Sequence, residues 1–162
     1  LYRCWFRHIR TSMISKTLVI LGNAPTTYDF DIATELWVLG TIKSPIINIA
    51  DRVFEFHNLP VPDESKRWDF RKISVDTMRT RGFPLHNSIC YMVAQALLEE
   101  RHKEILVLGA PCKAKEEYLK ERPSLAWLIG YAKGRGITVF WEGGLELTRT
   151  YMNGGKDDTQ GN

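Results

Sequence analysis

Three short apolar runs, each ending in glycine, set the frame for this chain. They are "TLVILG" from Thr17, "ELWVLG" from Glu35 and "EILVLG" from Glu104. A run of four consecutive apolar residues has no polar face to offer water, so each strand must be buried on both sides. That is the signature of a parallel sheet sandwiched in an α/β domain. Two further runs extend the pattern: "DRVFEFH" from Asp51 to His57, with Val53, Phe54 and Phe56 apolar, and "ITVFW" from Ile137 to Trp141.

Helical signals lie between the strands. From Ser88 to Arg101, the residues Ile89, Met92, Val93, Ala96 and Leu97 recur at helical spacing, and Asn87 or Ser88 can cap the start. Pro123 suits the first turn of a second helix whose apolar face is Leu125, Leu128, Ile129 and Ala132, with Gly134 and Gly136 at its end. The stretch "LPVPDESKRWDFRK" reads as a loop, because Pro60 and Pro62 oppose regular pairing. The expected fold is therefore a single α/β, Rossmann-like domain with about five mostly parallel strands flanked by helices. Its expected span is residues 16–142. Residues 1–15 read as an N-terminal extension, with the domain-like sequence starting near Met13, and residues 143–162 as a tail that is disordered at its end.

Composition removes several function classes. A chain of 162 residues fits one domain with a real core. No stretch of apolar residues is long enough to span a bilayer. Net charge is only +3, and no Lys/Arg run is interleaved with aromatics as a single-strand groove requires. Cys4, Cys90 and Cys112 form neither a disulfide framework nor a zinc pattern, which points to a reducing cytoplasm, and no metal or cofactor is expected.

In open parallel sheets, ligands bind beyond the carboxyl ends of the strands. That rule collects Gly22, Asn23, Ala24, Pro25, Thr26 and Thr27 after the first run, Gly40 and Thr41 after the second, Glu55, His57 and Asn58 after the third, and Gly109 to Cys112 after the fourth. The Gly22–Thr27 loop is neither standard phosphate fingerprint. A Walker loop would need Gly and Lys where Thr27 and Tyr28 stand, and a dinucleotide G-x-G-x-x-G would need glycine at Ala24 and Thr27. A glycine at the turn and the Thr26 and Thr27 hydroxyls still suit a phosphate or ribose, and a tight strand exit suits them equally. His57 fits a general base, a ribose or phosphate contact, or a structural histidine. Glu55 fits a ribose diol or a salt bridge. Cys112 is exposed to consideration as a nucleophile by its strand-end position, Cys90 belongs to the core, and Trp68 either stacks on a base or seals its loop. Trp37, Trp127 and Trp141 read as core.

The segments "LVILGNAPTT", "ADRVFEFH", "NSICYMVAQALLEERHKEILVLGA" and "EEYLKERPSLAWLIGYAKGRGITV" together resemble a family of small phage-encoded Rossmann-like proteins of mostly unassigned function. Its pattern is a G-x-[AG]-P-[ST]-[ST] loop, an E-x-H strand end, a Ser-headed helix and an E-Y-x-x-[QE]-R-P segment. The loop is also similar to a G-N-G-P-S stretch of certain bacterial sialyltransferases. The first resemblance implies a nucleotide-facing loop at Gly22, Ala24, Pro25, Thr26 and Thr27, with Glu55, His57, Ser88, Glu117, Tyr118 and Arg122 contributing. This chain departs from it in running "RGFPLHNS" straight into the helix and in reading "APC" after Gly109. The functional expectation is a nucleotide-binding protein that sequesters a host immune nucleotide signal without turnover, acting in the cytoplasm as a homodimer or larger homo-oligomer, its pocket closed by a lid over residues 59–83. The alternative is a transferase or hydrolase acting on a nucleotide through His57 and Glu55.

Overall fold

The computed structural model describes residues 17–26, 35–112 and 117–142, the side chains of Glu117 and Tyr118 excepted. The expected extension at 1–15 and the tail at 143–162 lie outside the described residues. Six parallel strands form one sheet: β1 (Thr17–Leu21), β2 (Glu35–Leu39), β3 (Arg52–Phe54), β4 (Arg67–Trp68), β5 (Glu104–Leu108) and β6 (Thr138–Trp141). Their spatial order is β4-β3-β2-β1-β5-β6. The chain builds outward from β1 through β4, then returns to the other side of β1 for β5 and β6. The α/β, Rossmann-like expectation holds, with one strand more than expected.

The extra strand is β4, inside the stretch read as loop. Arg67 and Trp68 pair with Val53 and Phe54, and Glu55 N–H donates to the Trp68 carbonyl at 2.9 Å. Two residues carry no periodicity, so packing places them: the Trp68 ring lies 5.8 Å from Phe54 and beneath the Arg52 guanidinium, 3.8 Å away. The expected strand Asp51–His57 is correspondingly shorter, ending at Phe54. The segment 59–83 is no free lid, because Val61, Ile73, Met78 and Phe83 are buried in the core.

Side chains alternate cleanly across the sheet. Leu18, Ile20, Trp37, Phe54, Ile105, Val107, Val139 and Trp141 face one core; Val19, Leu21, Leu36, Val38, Val53 and Leu108 face another. Three α-helices supply the first core: α1 (Val75–Thr80), α2 (Ser88–Glu99) and α3 (Arg122–Gly134). On the second, a 3-10 helix over Pro45–Ile49 inserts Ile47, and Val61 packs beside it. Asn87 is the cap of α2, its Oδ1 accepting from Cys90 N–H at 2.8 Å; Ser88 is the first helical residue and not the cap. At the end of α3, Gly136 takes φ +79°, and Gly136 and Ile137 N–H return to the Lys133 and Ala132 carbonyls. That closure is why a glycine follows this helix. The short α1 has no counterpart in the sequence reading. Trp127, read as core, is 47% exposed and stacks on Tyr131 at the surface of α3.

The amino edge of the sheet is held by charge. Glu35 accepts from Arg101 through both oxygens, from Trp37 Nε1 at 2.6 Å, and lies 3.0 Å from His102 Nε2. Arg52, wedged between the rings of Trp37 and Trp68, forms a two-pronged pair with Glu99 at 2.5 and 3.1 Å. Burial disfavours ionised Glu35, but the hydrogen bonds from His102, Arg101 and Trp37 outweigh it and hold the carboxyl well below its ordinary 4.5. Glu99 is lowered in the same way, burial being outweighed by Arg52, Gln95 and Arg101.

A carboxylate lowered in the folded state contributes its full stability above the unfolded pKa and loses it as pH falls. Thermal melts should therefore show stability dropping steadily below pH 4.5, the ordinary glutamate value. Glu35→Gln should flatten that slope and cost about 2–3 kcal/mol at neutral pH, since it removes the charged acceptor shared by Arg101 and His102, while Arg101 keeps Glu99. A variant whose acid slope matches the parent would show that the network is not the acid-sensitive element.

Candidate functional site

The strand order reverses between β1 and β5, so their exits mark the place where an open α/β sheet usually admits a ligand. Here that crevice is closed by backbone. Gly22 N–H donates to the Leu108 carbonyl at 2.8 Å, and Ala24 N–H to the Gly109 carbonyl at 2.9 Å. A Cβ on Gly22 would sit 2.4 Å from the Gly109 carbonyl oxygen, and one on Gly109, at φ +63°, would sit 2.7 Å from the Ala24 carbonyl oxygen. Glu142, just past β6, takes the Gly109 N–H at 2.7 Å. The glycine of the loop is thus required by close approach to its neighbour. The converging N–H groups expected to cradle a phosphate are already bonded at Gly22 and Ala24.

The opening lies one strand over. A cleft of about 620 Å³ runs between the exit of β1 and the connection from β2 to the 3-10 helix. Leu21, Gly22, Asn23, Pro25 and Thr26 line one wall, and Thr41, Ile42, Lys43, Ser44 and Ile46 the other. Asn23 Nδ2 donates to Thr41 Oγ1 at 2.6 Å, tying the walls together. Ser44 caps the 3-10 helix by accepting from Ile46 N–H, and Pro45 occupies its first turn. The cleft opens on the face whose core holds Leu21 and Ile47, away from the three α-helices.

The expected site residues therefore divide. Gly22, Asn23, Pro25 and Thr26 reach the cleft, while Ala24 is half-buried behind them. Thr27 lies outside the described residues, as do the side chains of Glu117 and Tyr118, whose backbone belongs to a π-helical turn over Glu117–Glu121. Glu55 is 1% exposed and packs under Gly40, where a Cβ would meet its Oε2 at 2.4 Å. Its Oε1 accepts from His57 N–H at 2.5 Å, while His57 itself stands exposed. Glu55 thus shapes the strand exit rather than lining the cleft, and the neighbouring Arg52 pairs with Glu99 instead of with it.

Ser88 and Arg122 sit at the heads of α2 and α3, across the sheet from the cleft. Arg122 is buried, donates to the Pro111 carbonyl at 3.0 Å and lies over the Trp141 ring at 4.9 Å. It fastens the β5 exit to α3. Nearby, His86 Nδ1 lies 2.6 Å from Ser124 Oγ, and Asn87 Nδ2 donates to Glu121 Oε2, lashing the two helix heads to each other. Cys112 is buried at φ +50°, and burial pushes the Cys90 thiol up to about 12 despite hydrogen bonds from Asn87 and His86. Cys90 thus stays a protonated thiol in the core, as expected, while Cys112, the candidate nucleophile, is 5% exposed with its Sγ turned to the Ala110 carbonyl at 3.6 Å. Trp68 takes the sealing role.

The residues missed from the sequence are Ile42, Lys43, Ser44 and Ile46. Their only signal was a hydroxyl and an ammonium directly before a proline at a strand exit, "TIKSP". Among the described residues no group of His, Cys, Asp and Glu could hold a metal ion, and no helix is long and apolar enough to cross a membrane. Comparison with protein-family models, with curated proteins and with solved structures found no match.

The backbone closure predicts unequal glycine substitutions. Gly22→Ala must force β1 and β5 exits apart and should cost about 2–3 kcal/mol in urea unfolding. Gly82→Ala, at φ +71° with nothing within 4 Å of the added carbon, should cost only the left-handed backbone penalty of about 1 kcal/mol. Equal losses would mean that the Gly22–Gly109 contact carries no special weight.

Proposed function

We propose that this protein binds a nucleotide or nucleotide-derived small molecule in the cleft between the β1 and β2 exits and retains it without chemical change. The observation that carries this reading is the lining. The lining combines the hydroxyls of Thr26, Thr41 and Ser44, the Asn23 amide and the Lys43 ammonium with the apolar Leu21, Ile42 and Ile46. A few polar groups among apolar ones are what small-molecule sites share, and about 620 Å³ lies within their usual size range. Hydroxyls, an amide and an ammonium hold a ligand well and are poor proton shuttles near neutral pH. That composition favours retention over turnover. The resemblance to the phage-encoded family supplies the setting, in which the ligand is a host immune nucleotide signal and the protein acts as its sponge, as a homo-oligomer in the cytoplasm.

The enzyme reading needs His57 and Glu55 to work as an acid/base pair. The position of Glu55, buried and accepting from the His57 backbone, gives that reading no support.

The test is to incubate purified protein with a panel of nucleotides, nucleotide sugars and cyclic signalling nucleotides, then to analyse filtrate and heat-released material by mass spectrometry. A ligand recovered intact on heating is expected, with a melting-temperature rise of about 5–10 °C at a hundredfold excess over Kd. Asn23→Ala combined with Thr26→Ala should weaken binding at least about tenfold. A new product mass would replace retention with catalysis, and an unchanged affinity in the double variant would move the site elsewhere.

A further inference from the structure

We infer that the cleft seats the phosphate of its ligand on the second wall, against Thr41, Lys43 and Ser44, rather than on the Gly22 and Ala24 amides; this rests on the nucleotide reading given above for the rest of the ligand. A phosphate presents acceptor oxygens and negative charge. It is held where N–H and O–H donors without acceptors of their own stand beside a cation.

On the first wall, Gly22 and Ala24 N–H are bonded to the Leu108 and Gly109 carbonyls, and Pro25 has no N–H. Asn23 gives its Nδ2 to Thr41 Oγ1 at 2.6 Å. It keeps an N–H without an acceptor among the described residues, and an Oδ1 that suits a sugar hydroxyl or a base N–H.

The second wall is richer in donors. The N–H groups of Thr41, Lys43 and Ser44 have no acceptor among the described residues; only Ile42 N–H turns back, to the Leu39 carbonyl at 3.1 Å. Thr41 Oγ1 and Ser44 Oγ are used as acceptors, from Asn23 Nδ2 and from Ile46 N–H, which leaves both hydroxyl protons to donate. Lys43, exposed between them in sequence, adds an ammonium. The 3-10 helix itself contributes nothing. Pro45 has no N–H, Ile46 N–H is turned to Ser44 Oγ and Ile47 N–H to the Ser44 carbonyl. Thr41 to Ser44 thus bring backbone, hydroxyl and ammonium donors to one side of the cleft, with no carboxylate among the described lining residues. That set fits a phosphate, whose oxygens accept several charge-assisted hydrogen bonds at once.

Two measurements on the purified protein test the seat. Orthophosphate is titrated against chloride at matched ionic strength while amide shifts are followed by NMR. Equilibrium dialysis then compares nucleoside, 5′-monophosphate and 3′,5′-cyclic monophosphate in matched adenine and guanine sets. Orthophosphate should move the amides of Thr41, Lys43 and Ser44 and leave those of Gly22 and Ala24 in place. The tighter phosphate-bearing probe of a set should bind at least about tenfold better than its nucleoside. Lys43→Gln, an exposed position, should weaken that probe by about fivefold or more and leave the nucleoside unchanged. If orthophosphate moves Gly22 and Ala24 instead, the second-wall seat falls while the nucleotide reading stands. The same holds if the nucleosides bind as tightly as their phosphates, or if Lys43→Gln binds the phosphates as the parent does. If orthophosphate moves the second wall but no nucleoside or nucleotide binds, the nucleotide reading falls and the phosphate seat stands alone. If no probe binds, both fall.

Discussion

The approach of two backbone turns, at Gly22 and Gly109, governs where everything else at the carboxyl edge can be. Neither position has room for a side chain, and the turns are joined by hydrogen bonds from Gly22 and Ala24 and anchored from outside by Glu142. Backbone groups sealed in this way satisfy each other in a region where unpaired ones would be costly. The crevice that strand order makes available is shut, and a cleft lies on the β1–β2 side, lined by Thr41 to Ser44 opposite the β1 exit. A phosphate-type loop in sequence has become a structural latch with one wall of a pocket on its outer side.

The two edges of the sheet handle charge differently. At the amino edge, two glutamates, two arginines and His102 are linked to one another among tryptophan rings, a network that serves stability. At the carboxyl edge, Arg122 is committed to the Pro111 carbonyl and the Trp141 ring, so it reinforces the frame. Lys43 is left as the charge facing the cleft among the described lining residues. The described arginines at both edges are thus committed to the frame, while Lys43 lies among the cleft's lining residues.

How much of this was readable depended on whether the signal was local. Strands β1, β2 and β5 were legible because a double-sided apolar run admits one environment, and α2 and α3 because their apolar stripes are long enough for a period to show. Strand β4 was not, because two residues have no period and Trp68 is placed by Phe54 and Arg52 from other strands. The first wall of the cleft was legible from the rule about strand exits. Of the second only Thr41 was, since a five-residue 3-10 helix carries no stripe and Lys43 looks like any surface lysine. Arg122 was misleading for a related reason: its residue type suggests phosphate, and only its contacts with Pro111 and Trp141, distant in sequence, reveal the burial. Glu55 likewise looked like a ribose ligand until Gly40 closed over it.

Amide hydrogen exchange followed by NMR measures the latch most directly. In the ligand-free protein, the N–H groups of Gly22, Ala24 and Gly109 should exchange as slowly as those of the central strand β1, since each is bonded across the sheet exit. The amides of Asn23 and Lys43, on the open cleft, should exchange orders of magnitude faster. Fast exchange at Gly22 and Ala24 would mean that the turn is open and free to hold a phosphate through its backbone. The latch, and the displacement of the site toward β2, would then be wrong.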